Sequence, residues 1–485
     1  MLGSADNVLY GYMPQRILRD DKRKPTIFSL SRDFKELKIT KLDEEFDGMN
    51  TKFLKFMKIH DKIFLFVTFY NQKLKKEFLL AKSINRQSML PEGNTIPVAT
   101  VDYGEDYKGK LVEFNFSISQ DTTQILVYSI LTDNDENIYK CGFSLLDTNL
   151  NLRWKNEDLR FPEKRFYSML SPAVSNAGDC YILSLVLDSL NETKIQQRNS
   201  IQWLKYRRLN DFEKTEYILG ILRNKGTEIK QYPFDLPGKQ IRTISLGCND
   251  RNEAICAGLT SDKNSFTVTG GCSLILGNSP ADELTIHQFS FDEKLVARKV
   301  ISGNAAIYQE GLRRGKVHSA NYYNPLPLVF GDEGSFWFGG EKDRFHYQAV
   351  SPKGLIIILN RQELYLFRCN AKGEFLWENK LLKDQQTPLV MGIFGSVKMI
   401  GYKNTLHVLY NDIPWNKVNN PIVKEMAVYL ATYDHSGHEQ IQRLGGYDDL
   451  ELVFFPALAS QYEKNAILLF GSFNAKYRFL KLNLE

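Results

Sequence analysis

The hydrophobic and polar positions of this chain form short apolar stretches joined by turns rich in Asn, Asp, Ser or Gly. A typical unit is a strand-length apolar segment, a turn and a second, more apolar segment, as in FLKFMKIHDKIFLFVTFY from Phe53. Apolar runs of about four to eight residues bounded by such turns predict antiparallel β-hairpins. Seven such hairpins can be identified, and they begin at Phe53, Phe114, Leu170, Thr243, Leu326, Ser396 and Phe455.

The hairpins repeat with a mean period of 67 residues, and a second pair of strands follows most of them. The clearest of these pairs are Lys140–Trp154, Glu363–Trp377 and Glu425–Leu444. Four antiparallel strands per period predict the blades of a β-propeller. The N-terminal strands Pro25–Asp33 and Leu37–Leu42 lack a leading hairpin, so we expect them to complete the C-terminal blade. The predicted fold is therefore an all-β, WD40-like propeller with seven blades, closed by its N-terminal strands.

We expect a single propeller domain over residues 1–485, because no linker rich in Pro, Gly or Ser interrupts the repeat. The approximate blade limits are 51–105, 110–160, 166–225, 228–292, 319–380, 390–446, and 451–485 together with 25–43. Two long intervals predict inserted loops near Lys294–Ala320 and Glu341–Lys353. No stretch of about 12 residues keeps a helical apolar period, so long helices are not expected.

Composition agrees with a folded β protein, since 43% of the 485 residues are hydrophobic and 12% are aromatic. The net charge of +5 is small, and basic residues alternate with acidic ones, so a nucleic-acid partner is not expected. No apolar run approaches the roughly 20 residues of a transmembrane segment, which predicts a soluble protein. Met1–Asp6 does not resemble a secretory signal. The protein is then cytoplasmic, or periplasmic, envelope-bound or secreted if a signal was removed.

Neither a cofactor nor a metal site is predicted. The six cysteines are widely spaced and we expect buried free thiols, although a Cys248–Cys256 disulfide remains an alternative. His435 and His438 could chelate an ion with Asp434 and Glu439, but a solvated turn explains them better. Asp133–Asn137 lacks the Gly and the final Glu of a calcium loop, and an acidic hairpin tip is the favoured interpretation.

The predicted ligand-binding residues are Asn411, Asp412, Trp415 and Asn416, in a long loop directly after a strongly apolar strand. Propellers bind ligands with such loops, in which amides orient hydroxyl groups and an indole offers a stacking face. A purely structural turn is the alternative, because Asn is common in loops for backbone reasons.

No catalytic residue is predicted, because the chain contains neither a phosphate-binding G-x-x-x-x-G-K-[ST] motif nor a G-x-S-x-G nucleophile elbow. The leading hypothesis is a non-enzymatic scaffold whose loops bind a protein or an extended ligand. A polysaccharide hydrolase is the alternative, with carboxylates that converge at the propeller channel. Candidate carboxylates are Asp102, Glu105, Asp106, Asp332 and Glu333. A structural subunit of an envelope complex is a third hypothesis and predicts a flat apolar patch.

Several segments resemble, in the same order, uncharacterised envelope or secreted proteins of Bacteroidota. These segments are FSISQDTTQILVYS, SLLDTNLNLRW, VSNAGDCYIL, GEFLWENKLLKDQQ and LYNDIPWNKVNN, which fall between Phe116 and Asn420. The similarity extends over about Phe53–Glu485 and concerns blade-packing patterns. It implies an exported β-propeller of unknown function. Such proteins usually begin with a signal peptide, which this sequence does not show.

Overall fold

The structure is a computed structural model with strands as its main elements. It describes residues 3–5, 8–13, 25–31, 36–43, 45–103, 111–132, 139–160, 165–169, 172–188, 216–223, 229–234, 236, 239–262, 283–289, 295–302, 322–351, 354–388, 397–412, 426–463, 465–473 and 476–484. Within these ranges the helical elements are the single-turn helix α1 (Tyr447–Leu450) and two 3-10 turns, Asp332–Gly334 and Pro456–Leu458. None of the helices in the described ranges is long and apolar enough to cross a membrane.

The chain divides into two compact units, and the first comprises Met1–Ser189, Ile218–Pro233 and Ser460–Glu463. It contains blades 1 to 4, whose strands pair antiparallel. Blade 1 consists of β1 (Gly3–Ala5), β2 (Val8–Met13), β3 (Thr26–Ser31) and β4 (Glu36–Lys41), and a small hairpin of β5 (Glu45–Phe46) and β6 (Met49–Asn50) follows. Blade 2 consists of β7 (Lys52–Ile59), β8 (Lys62–Asn71), β9 (Lys76–Ile84) and β10 (Pro91–Asp102), and blade 3 of β11 (Leu111–Ile118), β12 (Ile125–Thr132), β13 (Tyr139–Leu146) and β14 (Leu152–Arg160). Blade 4 consists of β15 (Arg165–Met169), β16 (Ala173–Val174), β17 (Cys180–Asp188), β18 (Glu216–Leu222) and β19 (Ile229–Pro233).

The second unit comprises Leu190–Tyr217, Phe234–Ala459 and Lys464–Glu485. Blade 5 consists of β20 (Lys239–Cys248), β21 (Ala254–Asp262), β22 (Glu283–Phe289) and β23 (Leu295–Ser302), and blade 6 of β24 (Tyr322–Pro325), β25 (Val329–Phe330), β26 (Phe336–Ser351), β27 (Gly354–Cys369) and β28 (Phe375–Pro388). Blade 7 consists of β29 (Val397–Tyr402), β30 (Thr405–Asp412), β31 (Ala427–Tyr433) and β32 (Glu439–Gly446). The last blade, blade 8, consists of β33 (Val453–Phe454), β34 (Ser460–Glu463), β35 (Ala466–Phe473) and β36 (Lys476–Asn483), of which β34 is counted with the first unit.

The fold is thus an all-β propeller of antiparallel four-stranded blades, but the described residues form eight blades and not the expected seven. The N-terminal strands do not complete the C-terminal blade. Instead, β3 pairs with β2 from Val8 opposite Ser31 to Met13 opposite Thr26, and β2 pairs with β1. The prediction was wrong because β1 reads Gly-Ser-Ala and carries no apolar signal. All seven predicted hairpins are present in the structure.

The expected boundary between blades 4 and 5 and both expected inserted loops also differ from the structure. Strand β19 is the last strand of blade 4, although we placed residue 228 at the start of the next blade, and β23 lies where an inserted loop was expected. The remainder of that loop, 303–320, lies outside the described residues. The second expected loop, Glu341–Lys353, is instead an extension of the β26–β27 hairpin as far as Ser351 opposite Gly354. The Ser-Pro-Lys-Gly segment at its tip is a turn signal inside the apparent insertion.

Apolar side chains from facing blades form the core of each unit. Phe66 of blade 2 packs in one cluster with Val127 of blade 3, and Leu366 of blade 6 packs in another with Val408 of blade 7. Every side chain from Ile63 to Val67 is buried, as expected for a second strand that is covered on both faces. Outer strands are more polar, so the burial of each blade comes mainly from its middle strands.

A five-residue turn that begins with Asp or Asn recurs at one end of the blades. At the first residue, the Oδ1 atom accepts hydrogen bonds from the backbone N–H groups two and four positions later. The fourth residue has a positive φ. These turns begin at Asp147, Asn249, Asn370 and Asp434. We call this the turn end of a blade and the opposite end the loop end.

A substitution at Gly437, the fourth residue of one such turn, tests the positive φ and the close packing at that position. Its φ is +86°, and an added Cβ would lie 2.9 Å from Cγ of Trp377. We expect Gly437→Ala to cost about 1–2 kcal/mol for the left-handed backbone and about 1–3 kcal/mol more for overpacking. Gly373→Ala is the matched control, because its φ is +69° and the nearest atom is 3.5 Å away. Thermal unfolding should show the larger loss for Gly437→Ala, and equal losses would contradict the contact.

The five cysteines in the described residues are free and buried. Cys248 lies opposite Ala254 and Cys256 opposite Leu246, so these two thiols are not joined as the alternative required. Cys272 lies outside the described residues. Burial raises the pKa of the Cys141 thiol to about 12, and also raises the pKa values of Cys180 and Cys256.

These thiols should resist alkylation in the native protein, because the thiolate is the reactive form and burial disfavours it. We expect N-ethylmaleimide at pH 7.5 to label the five described cysteines at least about 100-fold more slowly in native than in urea-unfolded protein. Mass spectrometry of the peptides reports each site separately. Rapid native labelling of Cys180 or Cys256 would contradict their burial.

Candidate functional site

The residues predicted to bind a ligand lie at and beyond the end of β30. Asn411 is fully buried, and its Nδ2 donates a 2.8 Å hydrogen bond to the carbonyl of Phe454 in blade 8. Asp412 is half-buried and ends the strand. Trp415 and Asn416 lie outside the described residues, so the structure does not test their role. Asn411 therefore belongs to the blade, where it fixes the start of the loop, and Asp412 is the described residue better placed to face a ligand.

A stacked pair of tyrosines supports the same loop. The rings of Tyr410 and Tyr429 have centroids 5.5 Å apart and planes inclined by 20°. Burial raises the pKa of Tyr410, and the nearby carboxylates of Asp412 and Glu439 raise it further. The Tyr410 phenol therefore stays neutral at physiological pH and can donate a hydrogen bond. Strand β30 therefore ends beside a stacked aromatic pair.

Three charged side chains, Glu341, Arg361 and Lys383, form a group inside blade 6 that we call the blade 6 ion cluster. The Lys383 ammonium forms an ion pair with Oε1 of Glu341, and Nε of Arg361 lies 3.6 Å from Oε2. The Lys383 side chain is fully buried, and those of Glu341 and Arg361 are 5% and 16% exposed. Buried charges are costly unless they are paired, so the geometry of this cluster matters for the fold of blade 6.

Two β-bulges bring these side chains together. Between the pairs Glu341–Leu364 and Asp343–Arg361, β27 has one more residue than β26. At the same level, β28 has one more residue than β27. A bulge re-aims the side chains that follow it, and bulges are frequent beside functional sites. This cluster was not predicted from the sequence, although Glu341 follows the apolar stretch FWFGG and Lys383 follows two leucines, where a charge is unexpected.

The ion cluster and Asp412 lie at the same end of adjacent blades. Leu381 of β28 and Tyr410 of β30 belong to one apolar cluster between blades 6 and 7. Both strands run from the turn end towards the loop end. Two residues further along each strand, on the same face, come Lys383 and Asp412. The loop end of blades 6 and 7 therefore combines a buried ion cluster, a tyrosine pair and the predicted binding loop.

The turn that contains His435 and His438 is closed by the side chain of its own first residue, Asp434. Asp434 accepts hydrogen bonds from the backbone N–H groups of Ser436 and His438 and from the Ser436 hydroxyl. These bonds lower the pKa of Asp434 to about 2, and both imidazoles are exposed. Among the described residues no group of three metal-binding side chains is present. Asp133–Asn137 lies outside those residues.

The carboxylates of the hydrolase hypothesis are only partly described. Asp102 is exposed in the first unit, with one oxygen 3.3 Å from the Lys76 ammonium. Asp332 and Glu333 lie in an exposed 3-10 turn of the second unit. Glu105 and Asp106 are outside the described residues. Within the described ranges, Asp332 and Glu333 are therefore sequence neighbours in one turn and do not face each other across a cleft.

His407 is a further residue that the sequence analysis did not single out. It is 4% exposed between Ile400 and Thr432, and its Nδ1 lies 3.3 Å from the Thr432 hydroxyl. Burial lowers its pKa to about 4, so the imidazole is neutral in the folded protein at pH 7. Its position inside the apolar strand TLHVLY is the signal that could have indicated burial.

The solved structures that resemble this chain do so at low sequence identity and low TM-score. No protein-family model matches the chain, and no curated protein matches it by sequence. The solved structures that resemble it include the polysaccharide lyase Uly1, with 9% identity and a TM-score of 0.39 over 100% of this chain and 99% of that one. Another is the β-propeller domain of the Trilobed protease from Pyrococcus furiosus, with 9% identity and a TM-score of 0.36 over 94% and 96% of the two chains.

A protein of unknown function from Dyadobacter fermentans is also similar. Its identity is 11% and its TM-score 0.32, over 78% of this chain and 98% of that chain.

Proposed function

We propose that this protein is a non-enzymatic propeller that binds a protein or an extended ligand at the loop end of blades 6 and 7. The binding residues would be Asp412, Trp415 and Asn416, with Asn411 as the buried anchor of the loop. The observation that carries the proposal is the hydrogen bond from Asn411 to the Phe454 carbonyl, because it fixes the base of the loop before any ligand arrives. A binding segment whose first residue is already fixed loses less conformational entropy on binding.

Site-specific photo-crosslinking tests the location. The photoreactive residue p-benzoylphenylalanine would replace Asn416 in one variant and Lys372, in an exposed turn at the turn end of blade 6, in the control. The proposal expects a discrete adduct in cells at position 416 that disappears in the Trp415→Ala background. Equal adducts at both positions, or an adduct that is indifferent to Trp415→Ala, would count against it.

Turnover assays separate binding from the hydrolase alternative. Retaining and inverting glycosidases need two carboxyl groups about 5–10 Å apart on either side of the bond that is cleaved. The purified chain should leave soluble polysaccharides uncut. An assay for newly released reducing ends measures this. Turnover that is lost in a carboxylate-to-amide variant such as Asp412→Asn or Asp332→Asn would instead establish an enzyme.

The resemblance to envelope or secreted proteins of Bacteroidota supports a proposal about where the protein is located. We place the protein in the periplasm or envelope, as a subunit or partner of a protein complex there. Cell fractionation of the native host tests this placement, and recovery of the protein only in the cytoplasm would contradict it.

A further inference from the structure

The outer strand of blade 7, β32, is open to solvent along one edge. Among the described strands it pairs only with β31, and every residue from Glu439 to Arg443 is exposed. The outer strand of blade 6, β28, by contrast buries Trp377 and Leu381. The exposed part of β32 contains no proline and keeps one register against β31, whereas bulges interrupt the outer strands of blades 2, 3 and 6. A regular, uncovered edge of this kind can accept a further strand.

The turn that precedes β32 shows which main-chain groups lie at its open edge. The Asp434 N–H donates a 3.2 Å hydrogen bond to the His438 carbonyl. Hydrogen-bonded pairs alternate with non-hydrogen-bonded pairs along an antiparallel ladder. Counted from this first pair, every second residue of β32 bonds to β31, and the residues between them direct their N–H and C=O groups to the open edge. The residues with groups at the open edge are Glu439, Ile441 and Arg443.

The exposed segment is complementary to itself in the antiparallel direction. From Glu439 to Arg443 it reads Glu-Gln-Ile-Gln-Arg. A second copy, placed antiparallel about a two-fold axis at Ile441, brings each Glu439 opposite an Arg443 and the two Ile441 residues opposite each other. These residues share one face of the strand and also carry the main-chain groups at the open edge. The same register therefore gives three hydrogen-bonded pairs, each of which exchanges two N–H···O=C bonds.

The contacts within the chain leave both charged side chains able to pair with a second copy. Glu439 accepts a hydrogen bond from the Tyr433 hydroxyl through Oε1, so its other oxygen can accept a further bond. Arg443 donates to Asp448 and Asp449 through its two terminal nitrogens. A guanidinium group has five N–H donors, so these two bonds do not exhaust it. Opposite charges that face each other across paired strands stabilise the pairing.

We propose that this protein forms a two-fold homodimer in which the β32 strands of two copies pair antiparallel about Ile441. The two blades 7 then form one eight-stranded sheet. Charge complementarity favours a second copy in this register, because a shift by two residues separates Glu439 from Arg443 and loses both ion pairs. The contact is shorter than a standard interface of about 800 Å² per partner, so the dimer should be weak and depend on concentration. It uses the outer edge of blade 7 and is independent of the proposed loop-end function.

Sedimentation velocity of the purified full chain tests the dimer. Between about 1 µM and about 200 µM the weight-average mass should rise towards twice that of the monomer. Ile441→Lys places like charges opposite each other and should raise the dissociation constant at least about tenfold. Leu152→Lys is the matched control, because Leu152 and Ile441 are both 50% exposed on the outer strand of a blade, and it should leave the association unchanged.

Both substitutions are at exposed positions, so the two variants should keep the unfolding midpoint of the native protein. If β32 instead pairs with an extended segment of another protein, the purified chain stays monomeric. A chain that is monomeric at the highest concentration, or association that the two variants weaken equally, would overturn the proposal.

Cysteine cross-linking tests the register. In the proposed dimer the two copies of position 441 form a hydrogen-bonded pair with Cα atoms about 5.5 Å apart, which suits a disulfide. Position 440 lies opposite position 442 of the second copy. Mild oxidation should therefore link Ile441→Cys into dimers, leave Gln440→Cys unlinked, and link a mixture of Gln440→Cys and Gln442→Cys. Linkage of Gln440→Cys alone as fast as that of Ile441→Cys would contradict the two-fold pairing.

Discussion

Glu341→Gln should destabilise blade 6 by about 3–5 kcal/mol, the usual cost when one partner of a buried ion pair is removed. The Lys383 ammonium would remain fully buried without the carboxylate that now faces it. A chain of this length need not unfold in one step, so local opening is the appropriate measurement. Native-state hydrogen exchange on peptides from residues 336–388 should show protection reduced by at least about 100-fold.

A double variant separates the lost pair from lost packing. Glu341→Met together with Lys383→Met removes the fully buried ammonium and its carboxylate and leaves only Arg361, the most exposed member of the cluster. This variant should be more stable than Glu341→Gln alone, because apolar side chains can replace a buried ion pair at little cost. Glu157→Gln is the exposed control, since its partner Lys155 is 51% exposed, and it should change protection by less than about twofold. A loss at Glu341 as small as that at Glu157 would contradict the buried pair.

His407 should make stability depend on pH between about 6.5 and 4. Its pKa is lowered to about 4 by burial, whereas in the unfolded chain it returns to about 6.5. The unfolded state therefore binds a proton first as the pH falls. The stabilisation is complete above pH 6.5 and is lost progressively towards pH 4, by up to about 3 kcal/mol.

Other carboxyl groups titrate in the same range, so the comparison must be made between variants. His407→Gln removes the titrating group, and the difference in unfolding midpoint between the native protein and this variant should shrink or reverse as the pH falls from 7 to 4. His438→Gln, in an exposed turn, should run parallel to the native protein over the whole range. Parallel curves for His407→Gln as well would show that the imidazole is not buried in its neutral form.

Sequence reasoning was sufficient for the hairpins because their signal is local. In each blade a middle strand is covered on both faces, and continuous apolar runs such as Ile63–Val67 follow directly from that burial. The Asx turns are also local, since an Asp434 or Asn370 side chain closes its own turn. These features account for the agreement between the predicted and observed hairpins.

The number of blades depends on pairing over longer distances. Blade 1 requires β1, which is three residues long and not apolar, and β2 is separated from β3 by a strongly charged segment. Periodicity cannot detect such a strand, because its stability comes from its neighbours and not from its composition. The strands β3 and β4 were identified correctly, but their partners were not.

The candidate site, too, was predicted from the sequence only in its local features. The sequence placed a polar loop after β30, and it could not show that Asn411 is buried with its amide on the Phe454 carbonyl. Nor could it reveal the blade 6 ion cluster, because the bulges that align Glu341 with Lys383 are differences in register between paired strands. Register is set by both strands together and is not visible in either one.

The pairing of β2 with β3 is the central claim, since it gives blade 1 its own four strands and the propeller eight blades. Cysteines at Val8 and Ser31 test it, because these half-buried residues lie directly opposite each other. Mild oxidation should form an intramolecular disulfide between positions 8 and 31, and a control pair at Val8 and Lys41 should remain reduced. If the 8–31 disulfide fails to form, or forms no more readily than the control, the eight-bladed arrangement is wrong.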